Sequence, residues 1–254
     1  MIVRAIKTKK VLVGENTLLE ILDEAISALD ESNIAIIASK IVSLCENRVV
    51  SVGSSDKQKL IEVESDYFLL PKTSKYPDFQ FTITQNTLIP NSGIDESNTN
   101  GNYLLWPKDP QKTANEIRAH LKQRFGLKKL GVVITDSTCM PLRWGTLGIP
   151  IAYSGFAPNN NYIGTKDLFG YEFKVSRSSV AGGLAAAAVV VMGEGTEQTP
   201  IAVIDDVPFV QFQTHDPTTK ELELFYISML KDDLFAPFLN SVKWQKGKRS
   251  NIKE

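Results

Sequence analysis

The chain has 254 residues, 43% of them hydrophobic and 22% charged, and a formal net charge of −1. This is the composition of a globular protein long enough for one large domain or two small ones. The near-neutral balance excludes a global field that would draw it to nucleic acid or to a membrane surface.

Asn16 reads as an N-cap before Leu18, Leu19, Ile21, Leu22, Ala25, Ile26 and Leu29, a spacing that puts these side chains on one helical face. The β-branched run 34–38 predicts a buried strand that ends at Ser39-Lys40, where a second apolar stretch begins. Residues 56–70 are charged and helix-compatible. Over 79–84, Phe79, Phe81 and Ile83 alternate with Gln80, Thr82 and Thr84, which predicts a strand with its polar side wet. Asp109-Pro110 starts a helix that runs to about Phe125 and stops at Gly126. A buried strand is expected over 130–135, a polar loop over 157–172, and a helix capped by Ser178 or Ser179 around the alanine run 185–188. A strand over 201–204 and a helix over 220–234 follow. Strands and helices mix without strict alternation, so an α+β fold of mixed sheets and packed helices is expected. The expected domain covers 1–242, with room for two lobes. The tail 243–254 carries five basic residues and reads as a solvated end.

Cys45 and Cys139 form no CxxC pair, and the first ten residues lack the apolar core of a signal peptide. The longest apolar run, 184–192, is too short to span a bilayer. These features predict a reduced, cytoplasmic protein with neither a membrane nor a nucleic-acid partner.

Two segments carry the chemistry. Residues 91–98, Asn-Ser-Gly-Ile-Asp-Glu-Ser-Asn, and residues 131–138, Gly-Val-Val-Ile-Thr-Asp-Ser-Thr, each place an acid after an apolar stretch beside small hydroxyl or amide side chains. Carboxylate and hydroxyl oxygens are hard ligands, suited to Mg²⁺ or Mn²⁺ held together with phosphates. Each motif also has a plain structural reading. Gly93, Asp95, Ser97 and Asn98 are ordinary turn residues, and Asp136-Ser137-Thr138 could start a helix as its N-cap. Arg143 could clamp a phosphate or carboxylate bidentately, or sit in a surface ion pair. Gly193-Glu194-Gly195 could let a backbone approach a ligand, or simply cap the alanine-rich helix. Lys40 follows a strand and could reach a phosphate, or remain solvated. His120 and His215 have no partner in a zinc or triad pattern. Asp167-Leu168-Phe169-Gly170 lacks the companion loop of a kinase.

Taken in order, these segments resemble the coenzyme F(420)-0:γ-glutamyl ligase family over about 34–209, and its bacterial γ-glutamate ligase branch more than the deazaflavin enzymes. The matching stretches are Ser39-Lys40-Ile41-Val42-Ser43, Gly93-Ile94-Asp95-Glu96-Ser97-Asn98, Leu104-Leu105-Trp106-Pro107 and Gly131-Val132-Val133-Ile134-Thr135-Asp136-Ser137. After them come Arg143 with Gly145 and Gly148, then Asp167-Leu168-Phe169-Gly170, then Met192-Gly193-Glu194-Gly195. The acids Asp95 and Asp136 are 136 − 95 = 41 residues apart, a spacing that fits the family.

The resemblance implies an α+β homodimer that joins L-glutamate to an acceptor carboxylate with GTP, two Mg²⁺ or Mn²⁺ ions and potassium. It implies that Asp95 and Asp136 hold one metal and that Ser137 and Glu194 hold the second. Ser39 and Asn98 would contact the nucleotide, and Lys40 could take over the charge of the nucleotide-contacting lysine that the family often has at position 44. Met192, Gly193 and Gly195 would line its phosphates, and Arg143 would act on the acceptor or the transferring phosphoryl group. Two departures stand out. Leu44 takes the place of a frequent nucleotide-contacting lysine, and Gly182-Gly183 replaces a common acidic pair. Two other readings use the same oxygens: a non-catalytic nucleotide- or metal-binding homologue, and a metal-dependent phosphohydrolase with no need for glutamate.

Overall fold

The computed structural model describes residues 1–70, 76, 78–227 and 232–249. Its elements, in chain order, are β1 (Ile2–Ile6), α1 (Leu18–Ala25), β2 (Asn33–Ala38), α2 (Ser39–Cys45), β3 (Val49–Ser51), α3 (Lys57–Glu64), β4 (Tyr67–Phe68), β5 (Phe81–Thr84), β6 (Thr87–Pro90) and β7 (Asn102–Leu104). Then follow α4 (Pro110–Phe125), β8 (Leu130–Cys139), β9 (Thr146–Ser154), β10 (Asn159–Asn161), β11 (Arg177–Ser179), α5 (Val180–Met192), β12 (Ile201–Asp205), α6 (Thr219–Phe225), α7 (Ala236–Leu239) and β13 (Gln245–Lys246). The fold is α+β with mixed sheets. The chain forms two compact units: the first is 1–41 with 109–225, and the second is 42–108 with 226–254. Among the described residues no helix is long and apolar enough to cross a membrane.

The first unit is built on a five-stranded sheet in the order β1-β12-β2-β8-β9. Only the β2–β8 pair is parallel, with Ile36 beside Val133; the others are antiparallel. Alternation sends Ile34, Ile36, Val133, Tyr153, Ala202 and Ile204 to one face. There they pack against Ala181, Leu184, Ala185, Ala188 and Met192 of α5. Ala35, Ile37, Val132 and Ile134 point to the other face and are fully buried too. Helix α4 packs on β8 and β9, and its buried Ala114, Ile117 and Leu121 lie outside the α5 cluster. A sheet covered on both sides needs apolar residues at every central position, which is why β2 reads as an unbroken hydrophobic run.

Helix ends follow local chemistry. The N-cap of α1 is Thr17 rather than Asn16. Its hydroxyl accepts from the Glu20 N–H at 3.3 Å while the Glu20 carboxylate accepts from the Thr17 N–H at 2.8 Å. This reciprocal box satisfies two otherwise unpaired donors, which an Asn one residue earlier could not do. Ile26 and Leu29 lie beyond the helix but remain buried. Asp109 caps α4, and Gly126 ends it with φ +68°, as expected. Ser179 caps α5 by accepting from the Gly182 N–H at 3.1 Å. The polar stretch 157–172 is not all loop, because Asn159–Asn161 pairs with Arg177–Ser179. The helix expected over 220–234 ends at Phe225, and its positions 228–231 fall outside the described residues.

The second unit holds the sheet β13-β4-β5-β6 and the pair β3–β7. Strand β5 departs in part from the expected burial. Ile83 is buried as expected, but Phe79 and Phe81 are 51% and 54% exposed, whereas Gln80, Thr82 and Thr84 are buried. The reason lies in the 91–93 turn. The Gln80 N–H donates to Asn91 Oδ1 at 2.8 Å, and Thr82 Oγ1 donates to the Ile89 carbonyl and accepts from the Ser92 N–H at 2.8 Å. A polar side chain buries at low cost where such partners exist. The expected solvated tail also departs: Gln245–Lys246 pairs with Tyr67–Phe68. Arg249 donates to Glu64 at 2.9 Å in a pair with both side chains 12% exposed. Residues 250–254 lie outside the described residues.

One contact in the first unit decides how closely helix and sheet approach. A Cβ added at Gly148 would sit 2.5 Å from the Ala185 carbonyl oxygen and 2.6 Å from Val189 Cγ2. Gly148→Ala should therefore push α5 away from β9 and lower stability by roughly 1–3 kcal/mol, the usual penalty for overpacking. Urea denaturation checks this, and an unchanged midpoint would show slack at the contact.

Candidate functional site

Strand β8 does not stop at Thr135. It runs through Asp136, Ser137, Thr138 and Cys139, paired with Ile149, Gly148, Leu147 and Thr146 of β9. Asp136 is thus a strand residue, and the helix N-cap reading fails. The strand persists because β9 goes on supplying backbone partners past a register shift at Ile134/Thr135. Alternation then separates neighbours. Ser137 and Cys139 share the α5 face with Thr146 and Gly148, while Asp136 and Thr138 leave on the opposite face. Asp136 is half-buried, and its Oδ1 accepts from the Ser137 N–H at 2.7 Å.

Helix α5 ends above this hairpin. Gly193 is its C-cap, with φ +76°, and donates its N–H to the Val189 carbonyl. The glycine-cap reading of 193–195 is therefore correct for Gly193. The turn has a second property: it delivers Glu194 to the hairpin. Ser137 Oγ donates to Glu194 Oε2 at 3.3 Å, and Thr146 Oγ1 donates to Glu194 Oε1 at 3.3 Å. One residue on, the Gly195 N–H donates to Glu197 Oε2 at 2.8 Å. A Cβ at Gly193 would lie 2.6 Å from Glu197 Cδ, so only glycine lets that carboxylate fold over the turn. Met192, just before, is buried in the α5 core.

Arg143 lies in the exposed turn between β8 and β9, and its guanidinium donates to the Leu142 carbonyl at 2.9 Å. Among the described residues it has no acidic partner, so the surface ion-pair reading is not realised there. Leu142 and Trp144 on either side are both 95% exposed. Ser39 is buried at the start of α2, and Lys40 follows it, half-buried. Leu44 is buried in the same helix, so an apolar group fills the place of the lysine that the resemblance suggests. At Gly182 a Cβ would meet Ser179 Oγ at 2.7 Å, so the glycine there serves the cap. Gly183 has open space, and the first turn of α5 carries no acid.

In the second unit Asp95 is main-chain paired with Leu104. Its Oδ1 accepts from the Ser97 N–H at 2.8 Å and its Oδ2 from Ser97 Oγ at 3.1 Å. This is the turn chemistry expected of Asp-x-Ser, and it presents the carboxylate beside a hydroxyl. Asn98 follows with φ +56°, exposed. Gly93 is obligatory, because its φ is +72° and a Cβ would fall 2.1 Å from Trp106 Nε1.

Several sequence features have structural roles. His120 faces Asp23 at 2.7 Å, and His215 faces Glu221 at 3.1 Å. Asp167 Oδ1 accepts from the Phe169 and Tyr171 N–H groups at the tip of a hairpin. The two cysteines are not joined to each other.

The structure thus gathers Ser137, Glu194 and Thr146 in the first unit and Asp95 and Ser97 in the second. Asp136 and Asp95 belong to different units. Among the described residues no three His, Cys, Asp or Glu side chains form a metal cage. The donors are all hard oxygens, in sets of one carboxylate with hydroxyls. That chemistry fits a cation such as Mg²⁺, which takes one or two protein carboxylates and completes its shell with phosphate oxygens and water. Thr146 and Glu197 escaped the sequence reading. Thr146 is marked only by hairpin register, and Glu197 only by the shape of a glycine turn.

The family model described as F420-0:Gamma-glutamyl ligase matches residues 5–206. A coenzyme F420:L-glutamate ligase of Methanococcus maripaludis strain C6 is 35% identical over 235 residues, covering 87% of this chain and 91% of the relative. The Methanocaldococcus jannaschii protein of the same name is 34% identical over 202 residues, covering 71% and 79%. That of Methanopyrus kandleri is 31% identical over 215 residues, covering 77% and 82%. A family match across both segments that carry the acids, with relatives aligned over most of their own length, means that this chain belongs to the F420-0:γ-glutamyl ligase family.

Proposed function

We propose that the protein is a ligase that joins L-glutamate through an amide bond to an acceptor carboxylate, driven by a nucleoside triphosphate, with GTP the favoured one. The observation that carries this reading is Glu194, placed by the end of α5 between the hydroxyls of Ser137 and Thr146 in a chain of this family.

A carboxylate does not react with an amine until its oxygen becomes a leaving group. Transfer of the γ-phosphoryl group to the acceptor carboxylate breaks the bond between the bridging oxygen and γ-phosphorus and forms an acyl phosphate. The glutamate amine then attacks the acyl carbon, loses a proton and expels inorganic phosphate. Two anions have to meet in the first step, so catalysis consists mainly of positioning and charge neutralisation. Divalent cations, when bound, supply positive charge to the phosphate oxygens. In this reading Asp95, Asp136, Ser137 and Glu194 are their protein ligands. Gly193 and Gly195 offer backbone to the phosphates beside Met192, while Ser39, Lys40 and Asn98 contact the nucleotide. Glu197, which accepts the Gly195 N–H, would release that donor when a phosphate approaches. Arg143 supplies the planar fork that matches a carboxylate or phosphoryl group.

Incubation with GTP, Mg²⁺ or Mn²⁺, glutamate and a panel of carboxylate acceptors should give one acceptor heavier by a glutamyl residue in mass spectrometry, with GTP cleavage dependent on both co-substrates. Cleavage at full rate with neither would make the protein a phosphohydrolase, and binding without cleavage a non-catalytic homologue.

The Arg143→Lys variant keeps the charge and loses the fork. Turnover should fall by about 10²-fold or more, with a smaller change in nucleotide affinity. Unchanged turnover would remove Arg143 from the site.

We also propose a homodimer. Leu142, Trp144, Leu168, Phe169 and Phe209 are all more than 80% exposed in the first unit, apolar area that a subunit interface would remove from water. Light scattering at micromolar concentration should give the dimer mass, and a monomer alone would count against it.

A further inference from the structure

We propose that Thr146 is a positioning residue for Glu194, and that the β8–β9 hairpin orients this carboxylate with two hydroxyls, one from each strand. The inference rests on the reading of Glu194 as a cation ligand.

Glu194 has no orientation of its own. It stands exposed, one residue past a helix cap, on a side chain with three rotatable bonds. Two hydroxyls hold it: Ser137 on Oε2 and Thr146 on Oε1, each at 3.3 Å. The register explains why they can act as a pair. Ser137 faces Gly148 and Cys139 faces Thr146 across the hairpin, so both hydroxyls leave on the α5 side. The missing side chain at Gly148 lets the helix come close enough for its first residue beyond the cap to be reached. Each carboxylate oxygen accepts one hydroxyl and keeps a further lone pair, so the clamp orients Glu194 without occupying its capacity to ligate. Threonine suits the task. Its β-branch restricts χ1, so the hydroxyl direction is set by the strand backbone. Removing a hydrogen-bond partner of this kind, which orients a metal ligand, commonly costs about 10- to 100-fold in metal affinity.

The test measures Mn²⁺ binding in the presence of GTP by the electron paramagnetic resonance of free Mn²⁺, alongside the Mn²⁺ dependence of turnover. Thr146→Val keeps the branched shape and removes the hydroxyl. It should weaken Mn²⁺ binding about tenfold and raise the half-saturating Mn²⁺ equally, with kcat at saturating Mn²⁺ nearly unchanged. Thr146→Ser restores the hydroxyl and should recover most of the loss. Glu194→Ala removes the ligating oxygens and sets the reference for loss of the ligand itself. If Glu194→Ala loses Mn²⁺ while Thr146→Val binds it like the wild type, the positioning role is overturned and the ligand reading stands. If Glu194→Ala binds Mn²⁺ like the wild type, both fall. If Thr146→Val melts early, Thr146→Ala repeats the measurement, and wild-type Mn²⁺ affinity in that variant overturns the proposal. Failure of Ser to restore what Val removes would make position 146 merely structural and also overturn it.

Discussion

The close approach of α5 to the five-stranded sheet is the constraint on which the first unit depends. A helix can lie that near a strand only if both surfaces are nearly smooth. Here the helix presents Ala181, Ala185 and Ala188, and the strand presents Gly148. Small residues sacrifice buried area, but they shorten the distance over which dispersion acts. The larger side chains Leu184 and Met192, with Tyr153 and Phe156 from the sheet side, fill the space to either side. Proximity at Gly148 has a consequence one turn further along α5. The helix ends where its next residue, Glu194, meets hydroxyls on both strands of the hairpin.

The same hairpin shows how a strand sorts chemistry by parity. Asp136 and Ser137 are neighbours in sequence and share a hydrogen bond, yet their side chains leave opposite faces of β8. One strand can therefore serve two sets of ligands without the two crowding each other. The contacts that hold Glu194 are neutral: it accepts hydrogen bonds from two hydroxyls. Such a set, with one acid and several neutral oxygens, suits a cation that arrives with its own anionic ligand.

The second unit solves a different problem, holding Asp95 on a turn with an unusual backbone. Asn91, Ser92 and Gly93 all have positive φ. Conformations of this kind cost energy for residues with a Cβ and persist only where surrounding contacts over-determine them. Those contacts are visible. Ser92 is fully buried and donates its hydroxyl to the Ile61 carbonyl at 3.0 Å, while Thr82 Oγ1 accepts its N–H. Trp106 covers Gly93. Ile94, next in sequence, anchors in the small core of Ile61, Tyr103 and Leu105. Asp95 leaves that core directly, and its main-chain pairing with the buried Leu104 fixes where it emerges.

Much of this architecture was legible in the amino-acid sequence. The β-branched run of β2, the Asp109-Pro110 start and Gly126 stop of α4, the serine cap of α5 and the glycine that ends it all report local physics, which acts within a few residues. The ordered set of acids, arginine and glycines likewise identified the family. Other features depended on distant partners. Periodicity announced β5 but could not say that Thr82 would be its inner face, because that was decided by the hydrogen bonds of a turn ten residues away. The strand expected to end at Thr135 was prolonged by pairing with β9. Thr146 gave no sign in the sequence, because a hydroxyl becomes a partner for Glu194 only after hairpin register and helix packing bring them together. Sequence alone determined which residues could do the chemistry; tertiary structure decided which of them face one another, since facing is a property of register and packing distance rather than of any single residue.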